Sequence, residues 1–236
     1  MNNDQPWVVI PTYNEKNNIS KMIPLLFSLP VSNISVAIVD DGSPDGTGQT
    51  VKELQKTHKN LHLIERKKKN GLGRAYMAGF SYALSHGATS VVQMDADFSH
   101  DPNDVPKLIE GLSKADVVIG SRYIQGISVI NWPLHRLLLS IAGNTYAKII
   151  TGLPVKDSTG GFKAWKSKAL EAVDAPSLKA NGYGFQIGTT YRAWKKGFKI
   201  KEIPIIFTER RDGQSKMNQS IIKEALLLVW KLRLFG

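Results

Sequence analysis

Short β-rich runs alternate with helical patterns through the first half of the 236-residue chain, and this alternation restricts its fold more than any other feature. The strand-like runs are short, apolar and rich in β-branched residues, which is typical of buried parallel strands. They are residues 7–10, 36–39, 61–64, 90–94 and 116–119. Helices are predicted between them at residues 18–28, 47–57 and 72–86. The order predicts an α/β fold with a mostly parallel, Rossmann-like sheet flanked by helices.

The second half carries longer apolar stretches broken by single basic residues. The stretch at residues 132–139 predicts an interfacial helix pair, and a hairpin-like turn is expected at residues 156–161. Further elements are predicted at residues 186–195 (helix), 200–207 (strand) and 218–234 (helix). We divide the chain into a main domain, residues 1–216, and a C-terminal amphipathic helix, residues 217–236.

Composition excludes several classes of site. The chain has no cysteine, so thiolate zinc sites and cysteine nucleophiles are excluded, and any metal must be held by oxygen ligands. A net charge of +11 indicates an anionic partner such as phosphate, anionic lipid or nucleic acid. The N-terminus shows no signal-peptide pattern, and no apolar run reaches the roughly 18 to 20 residues of a membrane span. We therefore expect a cytoplasmic protein that lies on a membrane rather than crossing it.

Polar residues follow three of the predicted strands, and the carboxyl ends of parallel strands are where open α/β sheets bind ligands. Asp95 and Asp97 follow the fourth strand, where the loop can turn both carboxylates toward one cation. Mg²⁺ or Mn²⁺ takes one or two protein carboxylates and completes its coordination with phosphate oxygens and water. The structural alternative is that Asp-Ala-Asp only caps a helix beginning at residue 101.

Two further loops are expected at the same edge of the sheet. Asp41, after the second strand, is predicted to accept hydrogen bonds from a nucleobase or ribose, while the turn-forming residues around it shape the loop. Pro11, Tyr13 and Glu15, after the first strand, are predicted to border the same pocket, with Tyr13 packing on a base. The alternative for this string is a loop followed by a helix start.

Seven motifs occur in order and cover nearly the whole chain: PTYNE (11–15), DDGSPDGT (40–47), GLGRAY (71–76), MDADFSH (94–100), GSRY (120–123), GYGFQ (182–186) and RRDGQSK (210–216). In these motifs the chain resembles the dolichyl-phosphate (polyprenyl-phosphate) mannose synthases, inverting family 2 glycosyltransferases of GT-A fold. The resemblance implies that residues 1–216 form the catalytic domain and transfer mannose from GDP-mannose to dolichyl or polyprenyl phosphate with inversion.

The resemblance also implies roles for individual residues. Asp97 is the direct ligand of Mg²⁺ or Mn²⁺, with Asp95 and Ser99 beside the metal. Arg122, Arg210 and Lys216 match positions that bind donor or acceptor phosphates, a task suited to forked arginine donors and to a lysine charge. The donor is held by Pro11, Tyr13, Glu15, Val39, Asp41, Asp95, Ala96, Asp97, Arg122, Arg210 and Lys216. The catalytic set is Asp95, Asp97, Arg122 and Asp157.

The acceptor simplifies the chemistry, because a phosphate monoester with a second pKa near ~6 is largely dianionic at neutral pH and needs no general base. Asp157 is then the candidate for an acid or an orienting group near the acceptor. Two positions depart from the family pattern: Gly188 replaces a common glutamate, and Lys163 replaces the arginine of a Gly-Phe-Arg motif. We predict that transfer activity survives the loss of that glutamate.

Membrane contact is predicted from the basic residues 66–69 and from the terminal helix, which is apolar on one face. A solvated loop and a core helix are the alternatives. A separate membrane-anchoring subunit is a further expected partner. Two functional alternatives stay open: a UDP-glucose polyprenyl-phosphate glucosyltransferase, and a non-catalytic membrane or nucleic-acid binding module. Ser99-His100 and the GYGFQ motif favour mannose, and residues 66–69 lack interleaved aromatics, so we expect no nucleic acid partner.

Overall fold

The computed structural model describes residues 4–175, 178, 180, 182–209 and 219–235, without the side chains of residues 219–225 and 235. The strands are β1 (Pro6–Thr12), β2 (Ser35–Asp40), β3 (Leu61–Glu65), β4 (Ser90–Gln93), β5 (Val117–Ser121), β6 (Val129–Ile130), β7 (Lys163–Lys166), β8 (Ile200–Pro204) and β9 (Phe207–Thr208). The helices are α1 (Lys16–Phe27), α2 (Thr47–Leu54), α3 (Leu72–Ser85), α4 (Val105–Gly111), α5 (Leu134–Thr151), α6 (Ser167–Ala172), α7 (Gly182–Lys195) and α8 (Gln219–Phe235). A 3₁₀ turn, Pro102–Asp104, precedes α4.

Seven strands form one sheet in the order β3-β2-β1-β4-β7-β5-β8, while β6 and β9 pair separately. Within the main sheet, β7 runs antiparallel to both of its neighbours, and the other pairs are parallel. The predicted α/β fold with a mostly parallel sheet is therefore confirmed. Because β7 is reversed, it begins at the edge of the sheet where β1, β2, β4 and β5 end.

Alternate residues of each buried strand contribute to two cores, one on each face of the sheet. In β1, Trp7 and Val9 pack in one cluster with α3 and α7, and Val8 and Ile10 pack in the other with α1 and α4. Helices thus cover both faces, as the continuous apolar strands predict. Gly73 lets α3 approach α7, because a Cβ there would lie only 3.0 Å from Cδ2 of Phe185 in α7.

Two sequence predictions need correction, and one strand was missed. Strand β7 was not predicted, since four residues with lysine at both ends carry little strand signal. The region predicted as an interfacial helix pair is instead the single 18-residue helix α5. Its partner is α8, which it contacts through the Tyr146 hydroxyl, a donor to the Leu226 carbonyl at 3.3 Å. The predicted strand at residues 200–207 is divided into β8 and β9.

Helix α8 packs on the main body through Val229 and Leu232, both of which are buried in the same cluster as α3 and α7. The domain boundary at residues 216 and 217 stays a prediction. Within the described part of the chain, none of the helices combines the length and the apolar character required for a membrane span.

Candidate active site

The three loops singled out in the sequence lie side by side. Strands β2, β1 and β4 are neighbours and parallel, so the loops that follow them share one edge of the sheet. Arg122 follows strand β5, which runs in the same direction as β1, β2 and β4. Gly160 and Gly161 precede the reversed strand β7 and therefore reach the same edge. We call this edge the rim. The rim therefore combines acidic loops on one side with a basic residue on the other.

Asp95 and Asp97 are partly exposed at the rim, whereas Ala96 between them is buried in the core. The Tyr76 hydroxyl donates to Asp95 Oδ1 at 2.8 Å. Asp97 Oδ1 accepts from the backbone N–H and the hydroxyl of Ser99, at 3.1 and 2.5 Å. These bonds hold one oxygen of each carboxylate. Ser99 is itself buried, and its hydroxyl orients Asp97.

The buried side chain of His100 packs beneath the loop that carries Asp95 and Asp97. The backbone N–H of Asp95 donates to His100 Nδ1 at 3.1 Å, which leaves the ring proton on Nε2. The imidazole stacks on Phe162 with ring centroids 4.8 Å apart. Burial lowers the pKa of His100, and the nearby Asp95 and Asp97 offset this only in part. A neutral, buried histidine thus fixes the backbone that carries the acidic pair.

The two aspartates after β2 have different tasks. Asp40 accepts from the Thr12 hydroxyl and the Ser43 backbone N–H, both at 3.0 Å, so it ties the loops after β1 and β2 together. Asp41 pairs with Arg66 at 2.8 Å. Burial raises the pKa of Asp41, and Arg66 opposes that rise. Sequence reasoning assigned Asp41 but missed Arg66 as its neighbour.

The remaining predicted donor residues are spread around these loops. Tyr13 lies under the Lys69 ammonium, which is 4.4 Å from the ring centroid, so Arg66 and Lys69 of the predicted membrane-binding run belong to the rim. Glu15 accepts from Asn18 Nδ2 at 2.8 Å at the start of α1. Pro11 is partly buried at the end of β1, while the Val39 side chain is buried in the core. Arg210 and Lys216 lie outside the described residues.

Arg122 and Asp157 form a buried ion pair on the other side of the rim. Arg122 donates to both carboxylate oxygens at 2.7 and 2.6 Å, and its backbone N–H donates a third bond at 3.0 Å. Burial alone would raise the pKa of Asp157, but the Arg122 charge and hydrogen bonds bring it below the ordinary value. Asp157 is therefore held as a carboxylate that orients Arg122, which argues against the predicted alternative role as an acid.

A second buried network lies beneath the rim. Lys163 donates to the Gln186 carbonyl oxygen, Gln186 Oε1 and the Thr190 hydroxyl at 2.8, 3.1 and 2.8 Å. Gln93 Nε2 donates to the same Gln186 Oε1 at 2.7 Å. The sequence signal for this network is Gln93 itself, a polar residue in an apolar strand, because buried amides require partners.

Burial lowers the pKa of Lys163 from the ordinary 10.5 to about 7. Between those values the unfolded chain holds a proton that the folded chain releases, so we expect stability to rise with pH by about 1 kcal/mol per pH unit from this residue. Urea unfolding of the wild type and Lys163→Met at pH 7.5 and 9 measures the difference. Lys166→Met, on the same strand but partly exposed, is the control and should keep the wild-type slope. Equal slopes in wild type and Lys163→Met would contradict the shift.

Gly188 faces the core rather than the rim. A Cβ at Gly188 would lie 2.8 Å from Leu178 Cδ2, so a larger side chain there would have to displace Leu178. Gln186, two residues earlier on α7, contacts the network at Lys163. Gly188 replaces the glutamate that is common in the family, but because this position faces the core, the replacement leaves no empty space among the described residues of the rim.

An apolar pocket that is partly open to solvent lies between α5, α7 and α8. It is lined by Trp132, Arg136, Leu139, Ser140, Gly143, Tyr146, Thr159, Tyr183, Ile187, Leu226 and Val229. Thr159 connects it to the rim, because its hydroxyl accepts from Arg122 Nη2 at 2.8 Å. Arg136 lines the wall, where it forms an ion pair with Glu209. The pocket therefore lies next to the ion pair of Arg122 and Asp157.

A mostly parallel α/β sheet with an acidic pair after its fourth strand is the arrangement of a GT-A glycosyltransferase. The chain belongs to glycosyl transferase family 2, whose model matches residues 7–174. It is 42% identical over 230 residues to the polyprenol monophosphomannose synthase of Mycolicibacterium smegmatis, a match covering 96% of this chain and 86% of that protein. It is 41% identical over 221 residues to the undecaprenyl-phosphate mannosyltransferase of Micrococcus luteus, covering 94% and 90%.

Solved structures share the fold at much lower identity. Glucosyl-3-phosphoglycerate synthase from Mycobacterium tuberculosis, solved with Mn²⁺, UDP and phosphoglyceric acid, is 18% identical with a TM-score of 0.73, covering 99% of this chain and 80% of that one. A mannosyltransferase from Pyrobaculum calidifontis, solved with GDP-Man and Mn²⁺, is 19% identical with a TM-score of 0.60, covering 98% and 70%. These likenesses establish the fold.

Proposed function

We propose that this chain transfers mannose from GDP-mannose to a polyprenyl phosphate, with inversion at the anomeric carbon. The observation that carries the proposal is that one rim joins an acidic pair, Asp95 and Asp97, to an apolar pocket that opens beside the buried Arg122. The acidic side suits a sugar nucleotide, and the apolar side suits a lipid phosphate. The names of the two bacterial relatives support the same assignment.

On the donor side, the loops after β1 and β2 would hold guanosine between Tyr13 and Asp41, with Pro11, Glu15 and the backbone of Val39 at the border. Arg210 and Lys216 are proposed for phosphate binding on the strength of the family resemblance alone. Arg66 joins this set, because it already pairs with Asp41 at the rim.

Asp95 and Asp97 are the residues proposed to hold Mg²⁺ or Mn²⁺, and the donor set fits such an ion. Both are oxygen ligands, and each carboxylate has one oxygen fixed by a hydrogen bond from Tyr76 or Ser99. Among the described residues there is no group of three or more acidic or histidine side chains suited to a metal. Two carboxylates with diphosphate oxygens are what a hard divalent cation takes in such sites. When bound, it supplies positive charge for the departing diphosphate.

In the acceptor reaction, a phosphate oxygen attacks the anomeric carbon while the bond to the diphosphate breaks and its electron pair leaves with GDP. No proton needs to move, because the acceptor phosphate is already dianionic at neutral pH. Arg122, fixed by Asp157, is proposed to attract that phosphate, and the pocket beyond Thr159 to take the first isoprenoid units. The chain's contribution is alignment and charge stabilisation.

Lipid access is proposed to occur at a membrane surface, with the protein peripheral on its cytosolic face. Helices α5 and α8 expose apolar side chains on the outside of the pocket, among them Leu134 (68% exposed) and Leu227 (66%). A membrane-anchoring subunit stays a prediction from the family resemblance.

We expect Leu134→Glu/Leu227→Glu to bind vesicles on the order of 10-fold more weakly, because both apolar contacts with the bilayer are lost. Sedimentation with vesicles containing anionic lipid measures this, and GDP binding should not change. Ile206→Glu, at a 59% exposed apolar residue outside both helices, should bind vesicles like the wild type. Equal loss in all variants would contradict the proposed surface.

The function is tested by incubating the protein with labelled GDP-mannose or UDP-glucose, polyprenyl phosphate and Mg²⁺ or Mn²⁺, followed by organic extraction. Label from GDP-mannose in the lipid phase, lost on chelation, is the expected result. Label from UDP-glucose alone would replace the proposal with the glucosyltransferase alternative. No lipid-linked label from either donor would refute it.

A further inference from the structure

A second groove, which is open to solvent, lies between α5 and the loop that follows β5. It is lined in part by Ile127, Ile141, Thr145, Lys148 and Lys156, and we call it the lysine groove. None of these side chains has a part in the proposed transfer reaction. The groove thus combines apolar walls with two positive charges that the reaction leaves unused.

The lysine groove lies on the outward face of α5. Successive residues of an α-helix are about 100° apart, so residues three or four positions apart share a face. Such spacings connect Leu134, Leu138, Ile141, Thr145 and Lys148. Leu134 is 68% exposed and Leu138 is 57% exposed. The groove therefore continues the exposed apolar stripe of α5 that is proposed to lie against a bilayer.

The two lysines have no carboxylate partner within the described part of the chain. Lys156 Nζ donates to the Ile124 carbonyl oxygen at 3.2 Å, which leaves two of its N–H groups for a ligand. Glu202 accepts from the backbone N–H groups of Lys156 and Asp157, at 2.8 and 2.9 Å, and not from the lysine side chain. Lys148 is exposed on α5. Both charges are thus available to an anion.

Other polar side chains of the groove are already used within the fold. The Tyr123 hydroxyl donates to the Ser140 hydroxyl at 2.7 Å. Asn144 is buried, and its Oδ1 accepts from the Ser158 hydroxyl at 2.9 Å. The groups that remain for a ligand are mainly ammonium donors, which have no acceptor to offer. This inventory favours an anion rich in acceptor oxygens over a sugar, which would need acceptors as well as donors.

We propose that the lysine groove binds the phosphodiester of an anionic membrane phospholipid, while Leu134 and Leu138 contact its acyl chains. A lysine whose stem lies along apolar surface places its ammonium at the polar boundary of a bilayer, where the phosphates are. Each lysine near an anionic membrane contributes about 5-fold in affinity. The inference rests on the membrane surface in the proposed function and adds selection of lipids by head group.

The test is sedimentation with vesicles of phosphatidylcholine, with and without phosphatidylglycerol. The wild type should bind more tightly when phosphatidylglycerol is present. Lys148→Gln/Lys156→Gln should lose on the order of 10-fold in affinity for those vesicles, because both charges are gone. Thr145→Tyr keeps both lysines but fills the groove, and it should lose about 5-fold.

Lys56→Gln/Lys59→Gln is the charge-matched control, since it removes two exposed lysines between α2 and β3. It should stay within about 2-fold of the wild type, because these residues lie outside the groove. All the changed side chains are exposed, so every variant should keep the wild-type Tm.

Three outcomes would overturn the inference: an equal loss in the control, a loss in the groove lysine variant but none in Thr145→Tyr, or a wild-type dimer that the groove variants convert to monomers. The first two would indicate diffuse charge, and the third would assign the groove to a second copy of the chain. A wild type that binds neither kind of vesicle would refute the inference together with the proposed membrane surface. A wild type that binds vesicles but transfers no mannose would refute the proposed transfer alone, so the two failures are distinguishable.

Discussion

Asp97→Ala is expected to lose at least about 10²- to 10³-fold in kcat for mannose transfer, the size of effect seen when a group that stabilises transition-state charge is removed. Asp97 is the carboxylate proposed to hold the divalent cation against the diphosphate. It lies at the rim with one oxygen fixed by Ser99, so its removal should cost little stability. The lipid extraction assay measures the rate, and Mn²⁺ titration in the presence of GDP measures the accompanying loss of cation binding.

Asp101→Asn is the matched control for this prediction. Asp101 lies in the same loop, but its side chain caps the 3₁₀ turn by accepting from the Asn103 N–H at 2.9 Å, a bond that asparagine can also make. We expect wild-type transfer from this variant. If Asp97→Ala bound Mn²⁺ and transferred mannose at the wild-type rate, the assignment of the acidic pair would be wrong.

Asp157→Ala is expected to lower the free energy of unfolding by about 3–5 kcal/mol, because it leaves the Arg122 guanidinium buried without its partner. Arg122→Met should cost a comparable amount for the converse reason. The double variant Arg122→Met/Asp157→Leu buries no unpaired charge and should recover a large part of the loss. Urea unfolding of the wild type, the two single variants and the double variant gives the free energies for a double-mutant cycle.

The outcome that would contradict this prediction is additivity. If the double variant were destabilised by the sum of the two single changes, Arg122 and Asp157 would not be coupled as the bidentate geometry requires. All three variants should also lose transfer activity, since Arg122 is proposed to attract the acceptor phosphate. Activity alone would therefore not distinguish the structural contribution of the pair from its contribution to binding.

The sequence predicted which loops share the edge of the sheet that carries the acidic pair. Parallel strands with apolar patterns predicted that the loops after β1, β2 and β4 would meet, and the sheet order confirms it. The turn-forming sequence also predicted that the neighbours of Asp41 shape the loop, and Asp40 does so by accepting hydrogen bonds from Thr12 and Ser43. Ligand binding by Asp41 stays a prediction.

The side of the rim that carries Arg122 and Asp157 was harder to predict, because it depends on strand β7, which has no clear sequence pattern. Strand β7 has only four residues, and its first residue, Lys163, reads as a surface charge in the sequence although it is buried. Reversal of this strand brings Gly161 to the rim, and no local signal specifies a reversed strand. The contacts of Arg66 and Lys69 were missed for a related reason: a run of basic residues does not show which of its members turn inward.

The shared construction of α5 and α8 has a thermodynamic consequence for a lipid acceptor. The same two helices line the pocket with Gly143 and Val229 and expose Leu134 and Leu227 outside, so at the proposed membrane surface a single layer of helix would separate bilayer hydrocarbon from the pocket. Pulling an isoprenoid tail through water would cost about 0.8 kcal/mol for each methylene-sized group. A tail that moves from the bilayer to the pocket along these helices would stay in apolar surroundings throughout. Only the phosphate head group would then have to leave water.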